Sequence, residues 1–140
     1  MRAAEIDSKS VVSGPVPLER PLVEKPEGDI PFDLGVEDIL DGDGDEATPG
    51  RKVTVHYVGV AFRSGEEFDA SWNRGEPFRF ALGKGQVIPG WDQGVTGMRV
   101  GGRRKLTIPS ALAYGARGAG NGVIAPHEPL VFVVDLLSVG

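Results

Sequence analysis

The sequence predicts an α+β fold in which an antiparallel sheet of five to six strands wraps around one short helix. Three observations carry this expectation. Strand-like segments rich in β-branched and aromatic residues recur at 36–40, 52–60, 66–70, 77–82, 103–108 and 130–137. Connections dense in Gly, Asp and Ser separate them, as antiparallel neighbours require. One stretch alone, beginning at Pro89, places Trp91, Val95 and Met98 at helical spacing. Its Gly90, Gly94 and Gly97 each weaken a helix by about 1 kcal/mol relative to Ala, so a helix of two to three turns must be held by the sheet.

Composition narrows the function classes. At 140 residues the chain has room for one domain plus an extension. A formal charge of −5 and a pI near 5.0 give no general attraction to nucleic acid or to acidic membranes. With no cysteine there is no disulfide, thiolate nucleophile or thiolate metal site. No run approaches the roughly 18 apolar residues of a membrane span, and the N-terminus lacks a signal-peptide core. A cytoplasmic, monomeric protein is expected, a removed signal leaving no trace in the sequence.

Residues 1–34 carry Pro15, Pro17, Pro21, Pro26 and Pro31 among charges with no apolar period, which predicts a disordered arm dispensable for activity. Residues 35–140 form the domain. Val36–Leu40 reads as the first strand, followed by the acidic turn Asp41–Glu46. Asp41, Asp43 and Asp45 alternate as in a calcium loop, but Glu46 stands where Gly is needed and Lys52 where Glu is needed, so a solvated turn is the better reading. Lys52–Val60 alternates, with Val53, Val55 and Tyr57 on one face and Thr54, His56 and Val58 on the other. Arg63-Ser64-Gly65 reads as a hairpin turn returning through Glu66–Ala70. Pro77–Leu82 puts Phe78, Phe80 and Leu82 on one face.

Pro89 suits the first position of the helix, where a missing N–H costs nothing. Arg103–Ile108 then reads as a strand on which Arg103 and Lys105 point one way and Arg104 the other. That geometry forms no single cationic patch, and a solvated face is expected. Ser110–Gly115 reads as one helical turn capped by Ser110 and stopped by Gly115. The glycines of Arg117–Pro126 lack the strand-to-helix setting of a nucleotide loop. Leu130–Leu137 is apolar enough for the middle of a sheet.

The inward aromatics are Tyr57, Phe68, Phe78, Trp91, Tyr114 and Phe132, with Val87, Ile88 and Ile124 beside them. They form either an ordinary core or an apolar pocket carrying two phenols, with Asp69 at its edge.

In order and spacing, Val55-His56-Tyr57, Phe68-Asp69, Pro77-Phe78-Arg79-Phe80, Gln86–Val95, Leu106–Pro109, Ala113-Tyr114-Gly115 and Leu130-Val131-Phe132 resemble the FKBP-type peptidyl-prolyl isomerases. The resemblance covers roughly residues 36–140. It implies an FKBP-like sheet around a short helix and a pocket for the prolyl ring of peptides and unfolded proteins, or for the macrolides tacrolimus and rapamycin. No cofactor or metal is implied. By motif, Trp91 would floor the pocket, and Tyr57, Phe68, Phe78, Val87 and Phe132 would wall it. The Ile88 amide and Tyr114 hydroxyl would bond ligand carbonyls. Asp69, paired to Arg74, would lie near the twisted amide, and Ile124 would close one rim. The Arg117–Pro126 loop departs from the family in offering no aromatic or His before Ile124, and it is too short for a chaperone insert, which implies weak general folding assistance. A binding module without turnover is the nearest rival. A hydrolase would need a Ser/His/Asp set, yet His56 faces away from the pocket by parity and His127 sits at a loop end.

Overall fold

The computed structural model describes residues 19–140. Six strands form one antiparallel sheet: β1 (Gly35–Leu40), β2 (Lys52–Ala61), β3 (Glu67–Ala70), β4 (Phe78–Ala81), β5 (Arg103–Ile108) and β6 (Leu130–Val139). Their spatial order is β1-β5-β6-β2-β3, with β4 also paired to β2. The apolar β6 lies in the interior of the sheet between β5 and β2, as its composition predicts.

β2 is forked along one edge. Its first half, Lys52–Val55, pairs with β4, and its second half, Val58–Val60, pairs with β3. His56 and Tyr57 have no strand beside them on that edge. The buried Ser71 hydroxyl takes the strand's place, accepting from the Tyr57 amide at 2.7 Å and donating to the Tyr57 carbonyl at 3.4 Å. Ser71 begins α1 (Ser71–Arg74), a single turn between β3 and β4 that periodicity does not reveal.

The main helix, α2 (Pro89–Val95), starts with proline as expected and ends at Val95, earlier than the apolar spacing suggests. Met98 is nonetheless buried, because a turn bond from its amide to the Val95 carbonyl at 3.0 Å continues the path. The helix glycines are packing features. A Cβ on Gly90 would meet Ile108 at 2.5 Å and one on Gly94 would meet Leu106 at 2.7 Å, so only a smooth helix face can lie this close to β5. Asp92 accepts from the amides of Gly83 and Gly85, fixing the turn before the helix.

Two cations of β5 correct the expectation of a solvated face. Arg104 is largely buried, pairs with Asp38, and donates to the carbonyls of Gly94 and Thr96 at the C-terminal end of α2, where the helix dipole favours a cation. Arg103 pairs at 2.6 Å with Asp135, which is 1% exposed. Ser110 is likewise not a cap: Ser110–Leu112 is a 3-10 turn preceded by Pro109 with no side-chain cap, since that proline already sets the entry.

The core lies between the sheet and α2 and includes Val53, Val55, Tyr57, Phe80, Leu82, Trp91, Leu106, Leu130 and Phe132. A second cluster, Val58, Val60, Phe62, Ala70 and Val131, occupies the opposite face of the sheet under Trp72 and Val23. Val23 belongs to the arm. Residues 19–34 are therefore not a free tail: Val23 packs on the outer cluster and Leu34 on the main core. Expectations for residues 1–18 fall outside the described residues. The acidic turn is tied down by its backbone, the amide of Gly44 donating to Val100 and that of Val100 to Asp45.

Candidate active site

Where β2 forks, a cavity of about 180 Å³ opens between β3, β4, α2 and the start of the loop after β5. Tyr57, Phe68, Asp69, Phe78, Gln86, Val87, Ile88, Trp91, Tyr114 and Phe132 line it. Alternation in β2 sends Tyr57 to the inner face, β3 and β4 bring Phe68 and Phe78 from the two prongs, and the first turn of α2 sets Trp91 at the base.

The rings meet edge to face. Trp91 lies 4.9 Å from Tyr57 and 5.2 Å from Phe132, at 80° and 85°, and Phe68 meets Phe132 at 5.5 Å and 88°. Such contacts lock ring orientation and present an apolar floor. Trp91 and Phe132 are buried, whereas Phe78 and Tyr114 are 37% and 41% exposed. The last two stand at the mouth rather than in the interior.

Gly59 makes this arrangement possible. A Cβ there would come within 2.6 Å of the Phe132 ring and 2.8 Å of the Phe68 ring. The two phenylalanines close over a position that can carry no side chain.

One wall is polar. The Tyr57 hydroxyl donates to Asp69 Oδ2 at 2.5 Å and accepts from Arg74 Nη2 at 2.8 Å, while Arg74 Nη1 donates to Asp69 Oδ1 at 2.8 Å. Burial, together with the hydrogen bond to Asp69, pushes the Tyr57 phenol up to about 12, with Arg74 opposing. Tyr114 is also raised, by burial first and by the Asp69 charge second. Both phenols are therefore neutral donors at physiological pH. Among the described residues no backbone acceptor takes the Ile88 amide, and the buried Trp91 indole N–H lacks a partner. The Ile88 amide, at the cavity wall, is therefore free to donate to a ligand acceptor.

Of the residues expected at the site, nine line the cavity. Arg74 reaches it only through Tyr57 and Asp69. Ile124 is 6% exposed, packs in the main core and is not among the residues lining the cavity. Gln86 lines the cavity although its motif position carried no assigned role, and its Oε1 accepts from the Ala81 amide at 2.9 Å. Ser71 and Gly59 were also missed. Neither has a local signal, since their roles arise from the strand fork and from ring packing.

His56 faces the other side of the sheet, as parity predicts. There its Nδ1 lies 2.8 Å from Ser71 Oγ and its ring stacks on Trp72 at 4.2 Å. This pair is not a hydrolytic centre. The Ser71 hydroxyl is fully buried and engaged by both backbone groups of Tyr57, leaving no path for a substrate carbonyl.

Comparisons with known proteins agree with this geometry. Residues 44–137 match the family model described as FKBP-type peptidyl-prolyl cis-trans isomerase. The chain is 64% identical over 122 residues to the FK506-binding protein of Streptomyces anulatus, covering 87% of this chain and 98% of that one. That match is longer than the 106 residues from Gly35 to the C-terminus, so it takes in part of the arm. It is 58% identical over 106 residues to the peptidyl-prolyl cis-trans isomerase FPR2 of Saccharomyces cerevisiae, covering 76% of this chain and 75% of that one. Among solved structures, the crystal structure of AtFKBP13 superposes with a TM-score of 0.71 at 41% identity, covering 76% of this chain and 93% of that one.

Proposed function

The chain belongs to the FKBP-type peptidyl-prolyl cis-trans isomerases and is an isomerase of that class, and from this premise we propose that it acts as a monomer on proline-containing segments of unfolded proteins and binds tacrolimus and rapamycin in the same pocket. The observation that supports this most directly is the Trp91-floored cavity, whose rings converge while its few polar groups sit on one wall.

The chemistry follows from the amide. Rotation about an Xaa-Pro bond faces a barrier of roughly 18–20 kcal/mol, most of it lost resonance. The resonance also makes the carbonyl oxygen strongly polar, so a twisted amide is less in need of water than a planar one. A pocket that is apolar at its base binds the twisted form better, and each 1.36 kcal/mol of that difference is about tenfold in rate. In this reading Trp91, Phe132 and Phe68 receive the prolyl ring. The Ile88 amide and Tyr114 hydroxyl orient the peptide carbonyls, and Asp69 faces the twisted bond. No covalent intermediate and no proton transfer are needed.

The test is a cis/trans assay on tetrapeptides, with and without rapamycin. Acceleration that rapamycin abolishes, and faster turnover of Leu-Pro than of Glu-Pro, is expected from the Phe68 and Phe78 walls. Tight rapamycin binding without acceleration would instead favour a binding module.

A further inference from the structure

We propose that Arg20, in the N-terminal arm, is a positioning residue for the isomerase site, acting through Glu67 and Asn73 on the segment that carries Phe68, Asp69 and Arg74. The inference rests on the isomerase reading. It reverses the expectation that the arm is dispensable.

The contacts form a closed triangle. One Arg20 nitrogen donates to Asn73 Oδ1 at 2.7 Å, the other pairs with Glu67 Oε1, and Asn73 Nδ2 donates to Glu67 Oε2 at 3.0 Å. Glu67 and Asn73 flank the pocket groups: Phe68 and Asp69 follow the first, and Arg74 follows the second. A single guanidinium thus joins the two ends of the β3–α1 prong. Arg has the planar fork to do this, whereas one ammonium point charge is a poor substitute.

Arg20 is itself held in place. Just before it, the Glu19 carbonyl accepts from Arg103 Nη2 at 2.5 Å, and Arg103 is fixed by the buried Asp135. Just after it, Val23 packs on the outer cluster of Val58, Val60, Phe62, Ala70 and Val131. The arm therefore reaches the prong from an anchored position.

Charge supplies a second reason for the arrangement. The Arg20 guanidinium holds the Glu67 carboxyl below its usual range, against burial and, more weakly, the Asp69 charge. Without Arg20, Glu67 and Asp69 repel each other two residues apart on a four-residue strand. Because Arg20 and Glu67 are both about one-third exposed, at 39% and 33%, the pair adds little to global stability. Its effect is local order, which is what a pocket of fixed rings needs.

The test uses full-length Arg20→Ala, Arg20→Lys, Glu67→Gln and the Arg20→Ala/Glu67→Gln double variant. For Arg20→Ala, kcat/KM on a Leu-Pro peptide should fall roughly three- to tenfold with nearly unchanged thermal stability. Arg20→Lys should recover only part of the loss, and the double variant should lose no more than Arg20→Ala alone. Amide hydrogen exchange over residues 67–74, which is independent of turnover, should quicken in Arg20→Ala. Unchanged kcat/KM and exchange, or an activity loss matched by lost folded fraction, would overturn the proposal. An inactive wild-type chain would fail the isomerase reading instead, and exchange would still decide the positioning role.

Discussion

The hydroxyl of Tyr57 donates to Oδ2 of Asp69 while the other oxygen of that carboxylate holds Arg74. Replacing Asp69 therefore disturbs two partners at once. Asp69→Val should keep the fold, since a strand tolerates a β-branched residue, and should lower kcat/KM about ten- to thirtyfold if the carboxylate aids the twisted amide. Tyr57→Phe keeps the Asp69–Arg74 pair and removes only the hydroxyl, so its loss should be roughly threefold or less. Equal losses in the two variants would assign the effect to pocket geometry and leave the carboxylate no electrostatic role.

The same hydroxyl predicts an alkaline effect. A phenol raised to about 12 in the folded chain, against about 10 when unfolded, favours the protonated form in the native state. Its contribution is fully present below pH 10 and is lost as pH rises toward 12. Urea unfolding measured from pH 9 to 12 should fall more steeply for the native sequence than for Tyr57→Phe. Parallel profiles would refute the linkage.

Gly59→Ala is expected to be far more damaging than its size suggests. The added methyl would overlap both the Phe68 and Phe132 rings, and Phe132 is packed in the core and cannot yield. Overpacking of this kind costs typically 1–3 kcal/mol, and displaced walls should lower kcat/KM by about tenfold or more. Native stability and activity in this variant would show that the rings adjust freely.

Arg103→Ala should destabilise the fold by about 3–5 kcal/mol, because it strands a carboxylate that is 1% exposed. Burial already raises the Asp135 carboxyl, with Arg103 opposing. Converting both members, Arg103→Leu with Asp135→Leu, should recover most of the loss. Chemical denaturation of the three chains checks this, and a mild single variant would argue that water reaches Asp135.

Much of the site was legible because its information is local. Period-two alternation placed Tyr57 inward and His56 outward, and Pro89 with Trp91 marked the helix that forms the base. What was not legible depends on pairing across long stretches of chain. Arg104 looks like a surface cation until β5 is laid beside α2, whose terminal carbonyls it then caps. Gly90 and Gly94 read as weak helix formers because propensity is a local quantity, whereas the closeness of Ile108 and Leu106 is a tertiary one. The arm carries too few apolar residues to show a period. In residues 19–34, Val23 on the outer cluster, Leu34 on the main core, the Glu19 carbonyl on Arg103 and an arginine reaching 47 and 53 residues along the chain make the contacts instead.

The fork in β2 places the mouth of the cavity between β3 and β4. A binding site at a branch point of the ladder has its aperture set by two prongs that share one root, with Ser71 plugging the gap in the backbone at the crotch. β3 and β4 each pair with β2 and not with each other, so the two walls are held to one strand rather than to one another. The width of the opening is accordingly set by two short strands that are joined only through β2 and the segment between them. The connection between them, from Ser71 to Pro77, is the place where changing the number of residues would retune it.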